Sequence, residues 1–311
     1  MDSRVYADLK ELVRLKHQAQ GFSFLPKQPI HSILAGRHAS RIRGRGLNFE
    51  EVRAYLPGDD IRNIDWKVTA RTREPHTRVY TEERDRAALL LVDQRINMFF
   101  GSQMAMKSVT AAETAALGAW RVLAAGDRVG GIVFGDDNMT EVRPHRSNKR
   151  VMELLNAVTR HNHRLRVGGS VMPEPKSLNA ALRKATRVAN HDCLITLISD
   201  MDGYDSETED LLGKLGRHND VLVVLIYDPL ETELPDMGKL VIGDGKLQIE
   251  FDSGDATLRR SFSEAFNADL EGRRQMLIRH GTPVLPVHTA AAVAGQVRAL
   301  LGYKPPQGLR L

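Results

Sequence analysis

The chain has 311 residues, 42% of them hydrophobic and 27% charged, an ordinary globular composition with enough length to bury a sizeable core. A single cysteine, Cys193, excludes an internal disulfide, and no apolar run approaches the roughly 20 residues of a membrane-spanning helix. The net charge of +5 is carried entirely by the N-terminal part, where residues 1–86 hold 17 Lys and Arg against 12 Asp and Glu, while the rest holds 27 of each.

In chain order, Tyr6 to Gln18 places Leu9, Leu12, Val13 and Leu15 between charges and reads as a short amphipathic helix ended by Gly21. This start lacks the apolar core of a signal peptide, and together with the lone cysteine it predicts a cytoplasmic protein. Leu47 to Leu56 alternates like a strand until Pro57-Gly58 forces a turn. Asp59 or Asp60 is placed to cap a helical turn over Ile61–Trp66, and Arg78 to Glu82 suits an edge strand.

From Arg86 the pattern changes. Ala87–Val92, Val129–Phe134, Leu194–Ile198, Val221–Tyr227 and Pro283–Val287 are continuous apolar runs, as parallel strands covered on both faces require. Amphipathic helices separate them, with Val151, Leu154, Leu155 and Val158 on one face and Leu178, Ala181, Leu182, Ala185 and Val188 on another. The alternation predicts an α/β doubly wound, mostly parallel sheet. Met139–Arg143, Leu240–Ile242 and Leu247–Phe251 read as short edge strands, the last two joined at Gly243-Asp244-Gly245. The expected organisation is a charged module over 1–86 packed on a main domain over 87–303, with a tail over 304–311. Trp66, Tyr55 and Phe49 are expected to serve the module as packing anchors.

The segment from Arg43 to Arg86 carries a dense ordered set: Gly44, Gly46, Phe49, Arg53, Tyr55, Pro57-Gly58-Asp59-Asp60, Arg62, Ile64-Asp65-Trp66, Ala70-Arg71 and Glu83-Arg84. On these residues the chain resembles the family known as domain of unknown function number 58. Its members look like von Willebrand factor A domains with an added N-terminal module. The resemblance implies a von Willebrand A-like fold and a binding or scaffold protein, often linked to MoxR-type AAA+ ATPases. It implies no catalytic activity and no cofactor.

In an open parallel sheet, ligands bind beyond the carboxyl ends of the strands at the switch point. Von Willebrand A-like domains hold a metal-ion-dependent adhesion site there, built from D-x-S-x-S, a later threonine and a later aspartate. The matching stretch here is Asp93-Gln94-Arg95-Ile96-Asn97, which keeps the aspartate and replaces both serines. Lys176 stands at the threonine position, with Ser170 and Ser177 as the alternatives, and Asp200 keeps the later acid. Arginine has no acceptor and stays protonated, whereas hard divalent ions need oxygen ligands. Asp93, Arg95, Asn97, Lys176 and Asp200 are therefore expected to form a degenerate, metal-free site, with Mg²⁺ binding to a partner carboxylate as the alternative.

Other constellations have plainer readings. Arg37, Arg41, Arg43 and Arg45 could meet a polyanion or nucleic acid, but neighbouring acids such as Glu50, Glu51 and Asp65 favour internal pairing. Asp59, Asp60 and Asp65 resemble a metal-carboxylate set, yet interleaved arginines favour caps and ion pairs, Asp65 with Arg62 or Arg71. His161 and His163 read as a solvated pair after a helix, and Cys193 as a small core thiol. G-x-S-x-G, Walker A, dinucleotide-binding and H-E-x-x-H patterns are absent from the sequence. The expected function is a non-enzymatic adaptor with a protein partner, a MoxR-type ATPase, and not nucleic acid.

Overall fold

The computed structural model describes residues 2–19, 47–56, 59–82, 86–166, 174–189, 191–232, 236, 238–243 and 248–301. Two compact units emerge, Met1–Ala35 with Arg86–Leu311, and Gly36–Asp85. The N-terminal helix thus belongs with the larger unit, not with a module ending at residue 86. Helix α1 (Leu9–Arg14), capped by Asp8 and followed by a 3-10 turn over Leu15–His17, buries Leu12. Its carbonyl at Leu12 accepts the buried Trp120 indole N–H at 3.0 Å, and Ala7 N–H donates to Asn162 at 2.7 Å. A single apolar stripe on so short a helix has no stability alone, so it forms where a partner surface exists.

In the smaller unit, β1 (Leu47–Ala54) and β2 (His76–Glu82) pair antiparallel with an irregularity between Phe49 and Glu51. Between them lie a 3-10 turn, Ile61–Asn63, and α2 (Trp66–Thr72). Asp60 caps the turn through Arg62 N–H, and Asp65 caps α2 through Lys67 and Val68 N–H.

The larger unit is built on β3 (Ala87–Asp93), β4 (Arg128–Phe134), β5 (Met139–His145), β6 (Leu194–Ser199), β7 (Asp220–Tyr227) and β10 (Val284–His288). The sheet order is β10-β7-β6-β3-β4-β5, all neighbours parallel except β5, which pairs antiparallel with β4. The expected doubly wound, mostly parallel α/β sheet is therefore the observed one. All seven residues of β3 are buried. Ala88, Leu90 and Val92 pack with α3 (Lys107–Ala124) and α4 (Asn148–Asn162). Leu89 and Leu91 pack on the opposite face with α5 (Lys176–Val188) and α6 (Ser206–Gly216).

Helix α3 presents Ala111, Ala112, Ala115, Ala116 and Ala119 to the interior, small side chains that let its backbone approach the sheet. Gly131 serves β4 in the same way, since a Cβ there would lie 2.6 Å from Leu90 O and 2.7 Å from Leu154 Cδ1. Beyond β7 the chain makes a short helix α7 (Pro229–Thr232), an antiparallel pair β8 (Lys239–Gly243) and β9 (Gln248–Asp252), then α8 (Ala256–Arg279) and α9 (Val293–Leu300). The turn expected at Gly243-Asp244-Gly245 lies, past Gly243, outside the described residues.

Candidate functional site

The strand order reverses its direction of growth between β3 and β6, so their carboxyl ends form the switch point of the sheet. Asp93 ends β3 and Asp200 follows β6. Both carboxylates are buried, and so is Arg95. Arg95 folds back on Asp93: its Nε lies 3.1 Å from both carboxylate oxygens, its Nη2 2.7 Å from Oδ2, and its backbone N–H 3.0 Å from Oδ1. Ser199 Oγ donates to Asp93 at 2.7 Å, which completes the acceptor's shell. The far side of the guanidinium reaches Asp202 O at 3.1 Å.

Asp200 is held by a second cation, which the sequence reading did not anticipate. Lys107, the first residue of α3, donates to Asp200 at 2.9 Å and to Glu231 of α7 at 2.7 Å. Asn97 Nδ2 reaches both Asp200 oxygens at 2.8 and 2.9 Å, and Asp202 N–H adds a bond at 3.0 Å. Arg95 Nη2 stands 3.8 Å from Asp200. Burial opposes ionisation of Asp200, but Lys107 and Arg95 outweigh it and hold the carboxyl below its usual range. Burial likewise opposes the charge on Lys107, and Asp200 with Glu231 outweighs it, so the ammonium is held more firmly than in water. The same balance, with Asp93 the main opponent of burial, holds Arg95 protonated. Just past Asp200, buried Met201 takes φ 62, a left-handed conformation, while its N–H donates to Ser199 Oγ. Such a conformation costs an L-residue about 1–2 kcal/mol, and the hydrogen bond offsets part of that.

Of the expected site residues, Asp93, Arg95, Asn97 and Asp200 converge. Lys176 does not: it is exposed at the start of α5, and its backbone N–H donates to Glu174. Lys107 takes the role given to it. A signal for Lys107 was present, since a lysine opening an otherwise apolar helix sits against the positive end of the helix dipole and needs acidic partners. Ser177 is buried and donates to Asp136 O, away from the cluster, and Ser170 lies outside the described residues.

A hard divalent ion does not fit this donor set. Each oxygen of Asp93 and Asp200 already faces an N–H or hydroxyl donor, and two permanent cations stand against them. Among the described residues, no three His, Cys, Asp or Glu side chains form a group able to hold a metal.

A second buried acid follows β7. Asp228 accepts from Ser102 N–H at 2.8 Å, Leu230 N–H at 2.9 Å, and the hydroxyls of Ser102 and Thr289. Its backbone N–H donates to Glu231 at 2.8 Å, tying it to the Lys107 pair. The edge is thus a connected polar network that positions loops, with its charges directed inward.

Elsewhere the expectations are corrected. Asp65 pairs with Arg78 at 2.9 Å, not with Arg62 of the preceding 3-10 turn or Arg71 at the far end of α2, because its backbone N–H donates to His76 O and so sets it beside β2, which carries Arg78. Asp59 pairs with Arg53 at 2.8 Å; each arginine holds its partner carboxyl below the usual range. Trp66 is exposed at the first position of α2. Tyr55 is half-buried, its hydroxyl bonded to Asp59 O, and Phe49 lies in β1. Gly44, Gly46, Gly58, Glu83, Arg84 and the cluster at Arg37–Arg45 lie outside the described residues. Cys193 is half-buried just before β6.

His161 is not a solvated loop residue but a buried one on α4, with Nε2 3.0 Å from Thr140 Oγ1. His163 meets Ala7 O instead. Burial, helped by Arg164 and Arg160, lowers the His161 pKa from 6.5 to about 4. A histidine with a lowered folded pKa stabilises the fold above its unfolded value and loses that contribution as protons bind. Between pH 6.5 and 4, the parent should lose about 2–3 kcal/mol more than His161→Gln, from the linkage of roughly 1.4 kcal/mol per pH unit. Denaturant melts of both proteins across that window check this; equal slopes would refute it.

Solved structures with a similar arrangement include an aerotolerance-related membrane protein from Bacteroides fragilis, at TM-score 0.43 and 13% identity, covering 70% of this chain and 98% of that one. A von Willebrand factor type A protein from Catenulispora acidiphila matches at TM-score 0.36 and 11% identity, over 73% of this chain and 43% of that one. In sequence, the uncharacterized protein Rv1480 of Mycobacterium tuberculosis is 30% identical over 270 residues, 85% of this chain and 81% of its own length. Residues 51–271 match the family described as Protein of unknown function DUF58, and the chain belongs to that family.

Proposed function

We propose that this chain is a non-enzymatic, metal-independent protein-binding adaptor that works in the cytoplasm beside a MoxR-type AAA+ ATPase. The observation that carries this reading is the buried Asp93–Arg95 and Asp200–Lys107 cluster at the switch point. An adhesion site of this fold class would offer a metal with an open coordination position, and a hydrolase would offer an exposed nucleophile or base. Here the acids are spent on internal cations, which leaves the edge suited to recognition by shape and surface chemistry. The ATPase partner and the compartment are carried over from the family resemblance and the sequence. No helix among the described residues is long and apolar enough to cross a membrane.

Two measurements test the reading. Calorimetric titration with Mg²⁺ or Mn²⁺ should give no site-specific heat, whereas binding tighter than about millimolar that is abolished by Asp93→Ala would replace it with metal-dependent adhesion. A pull-down of a purified MoxR-type ATPase by the tagged chain, with and without ATP, should recover a complex that survives chelator. Failure to recover it in both nucleotide states would remove the ATPase from the proposal.

A further inference from the structure

Three large apolar side chains of the smaller unit point into solvent: Leu56, Ile61 and Trp66, which are 57%, 67% and 70% exposed. They come from the segment just past β1, the 3-10 turn and the first position of α2. Leaving such side chains in water forgoes roughly 1.5–3 kcal/mol each. The acids interleaved with them are already engaged. Asp59 grips Arg53 through both oxygens at 2.8 Å, Asp60 caps the turn, and Asp65 caps α2 and pairs with Arg78. By contrast Arg62, Lys67, Arg71 and Arg73 are exposed and have no ion pair or side-chain hydrogen bond among the described residues. Within residues 59–78, only Glu74 is an exposed acid without such a bond. Residues 56–73 therefore intersperse three exposed apolar side chains with four unmatched positive charges.

We infer that Leu56, Ile61 and Trp66 form a docking surface for an acidic segment of a partner protein that seats an apolar side chain against Trp66. Tryptophan and arginine are the residue types that dominate binding energy at protein interfaces, and unpaired cations around an apolar centre select acids by charge complementarity. The aliphatic pair distinguishes this surface from a nucleic-acid platform, where bases stack on aromatic faces and leucine and isoleucine contribute little. This inference deepens the protein-binding reading above and is independent of whether a metal binds at Asp93 and Asp200.

A displayed library of random dodecapeptides, selected on the full chain in chelator and counter-selected on Trp66→Ala, tests it. Enriched peptides should be net negative and carry leucine, phenylalanine or tryptophan. A synthetic copy should shift the emission of Trp66 to shorter wavelength; the chain has two tryptophans, and Trp120 is buried. Trp66→Ala and the pair Arg62→Glu with Arg71→Glu should each weaken binding by about tenfold or more, with the parent's melting temperature retained because these side chains are exposed. Enrichment of neutral or basic peptides, or none beyond the Trp66→Ala control, overturns the proposal. So does tighter binding to phosphatidylglycerol vesicles or a thymidine oligonucleotide, or a free chain whose Trp66 is already shielded from iodide. A divalent ion found at Asp93 would defeat the metal-independent reading yet leave these chelator measurements unchanged.

Discussion

Replacing Arg95 by methionine is expected to destabilise the larger unit by about 3–5 kcal/mol, the usual cost of removing one partner from a buried ion pair. Methionine keeps much of the volume, so the loss reports charge more than a cavity. Asp93 has no exposed surface, and without Arg95 its carboxylate keeps Ser199 Oγ and the residue 95 N–H as donors but has no counter-charge. For a unit of this size the melting temperature should fall by roughly 6–20 °C. Adding Asp93→Asn to the variant should recover part of the loss, since the uncompensated charge is then gone. Calorimetric melts of the parent, both single variants and the double variant check this. If Arg95→Met melts with the parent, the cluster contributes no electrostatic stability and the role assigned to Arg95 fails.

The second large effect should come from opening the site. Arg95→Ser by itself leaves Lys107 2.9 Å from Asp200, so an incoming ion would still meet a fixed positive charge. Arg95→Ser with Lys107→Ser removes both cations and leaves space beside two carboxylates where a hard divalent ion can sit with water completing its oxygen ligands. In chelator this double variant should be less stable than either single one, because Asp93 and Asp200 then face one another with no counter-charge. In Mg²⁺ at a hundredfold excess over its dissociation constant it should regain about 2.7 kcal/mol, since the ion binds only the folded state. The parent should show no such gain. Equal shifts in both proteins, or no shift in the variant, would mean that Arg95 and Lys107 are not stand-ins for an ion.

The sheet was legible in the sequence, because parallel strands covered on both faces must be continuous apolar runs, and Ala87–Val92, Leu194–Ile198 and Val221–Tyr227 are such runs. So was the first half of the site: Asp93, Arg95 and Asn97 are within five residues of one another, and a loop that short confines them to one strand end. The resemblance in the Arg43–Arg86 segment was legible for the same reason, as an ordered local pattern. The partners chosen across long separations emerge only on folding. Lys107 meets Asp200 and Glu231 because α3 starts, β6 ends and α7 begins at one edge of the sheet, a coincidence set by topology and invisible in spacing. Lys176, aligned to the same edge by pattern, is turned to solvent by the helix it opens. Asp65 found Arg78 because Ile64 bridges Thr77 and the Asp65 N–H bonds His76 O, which sets the cap of α2 against β2. Trp66, which composition alone would bury, stays exposed at the start of a helix too short to cover it. Local periodicity fixes which residues form an element, whereas charge pairing depends on which ends of distant elements the packed sheet brings within a few ångströms.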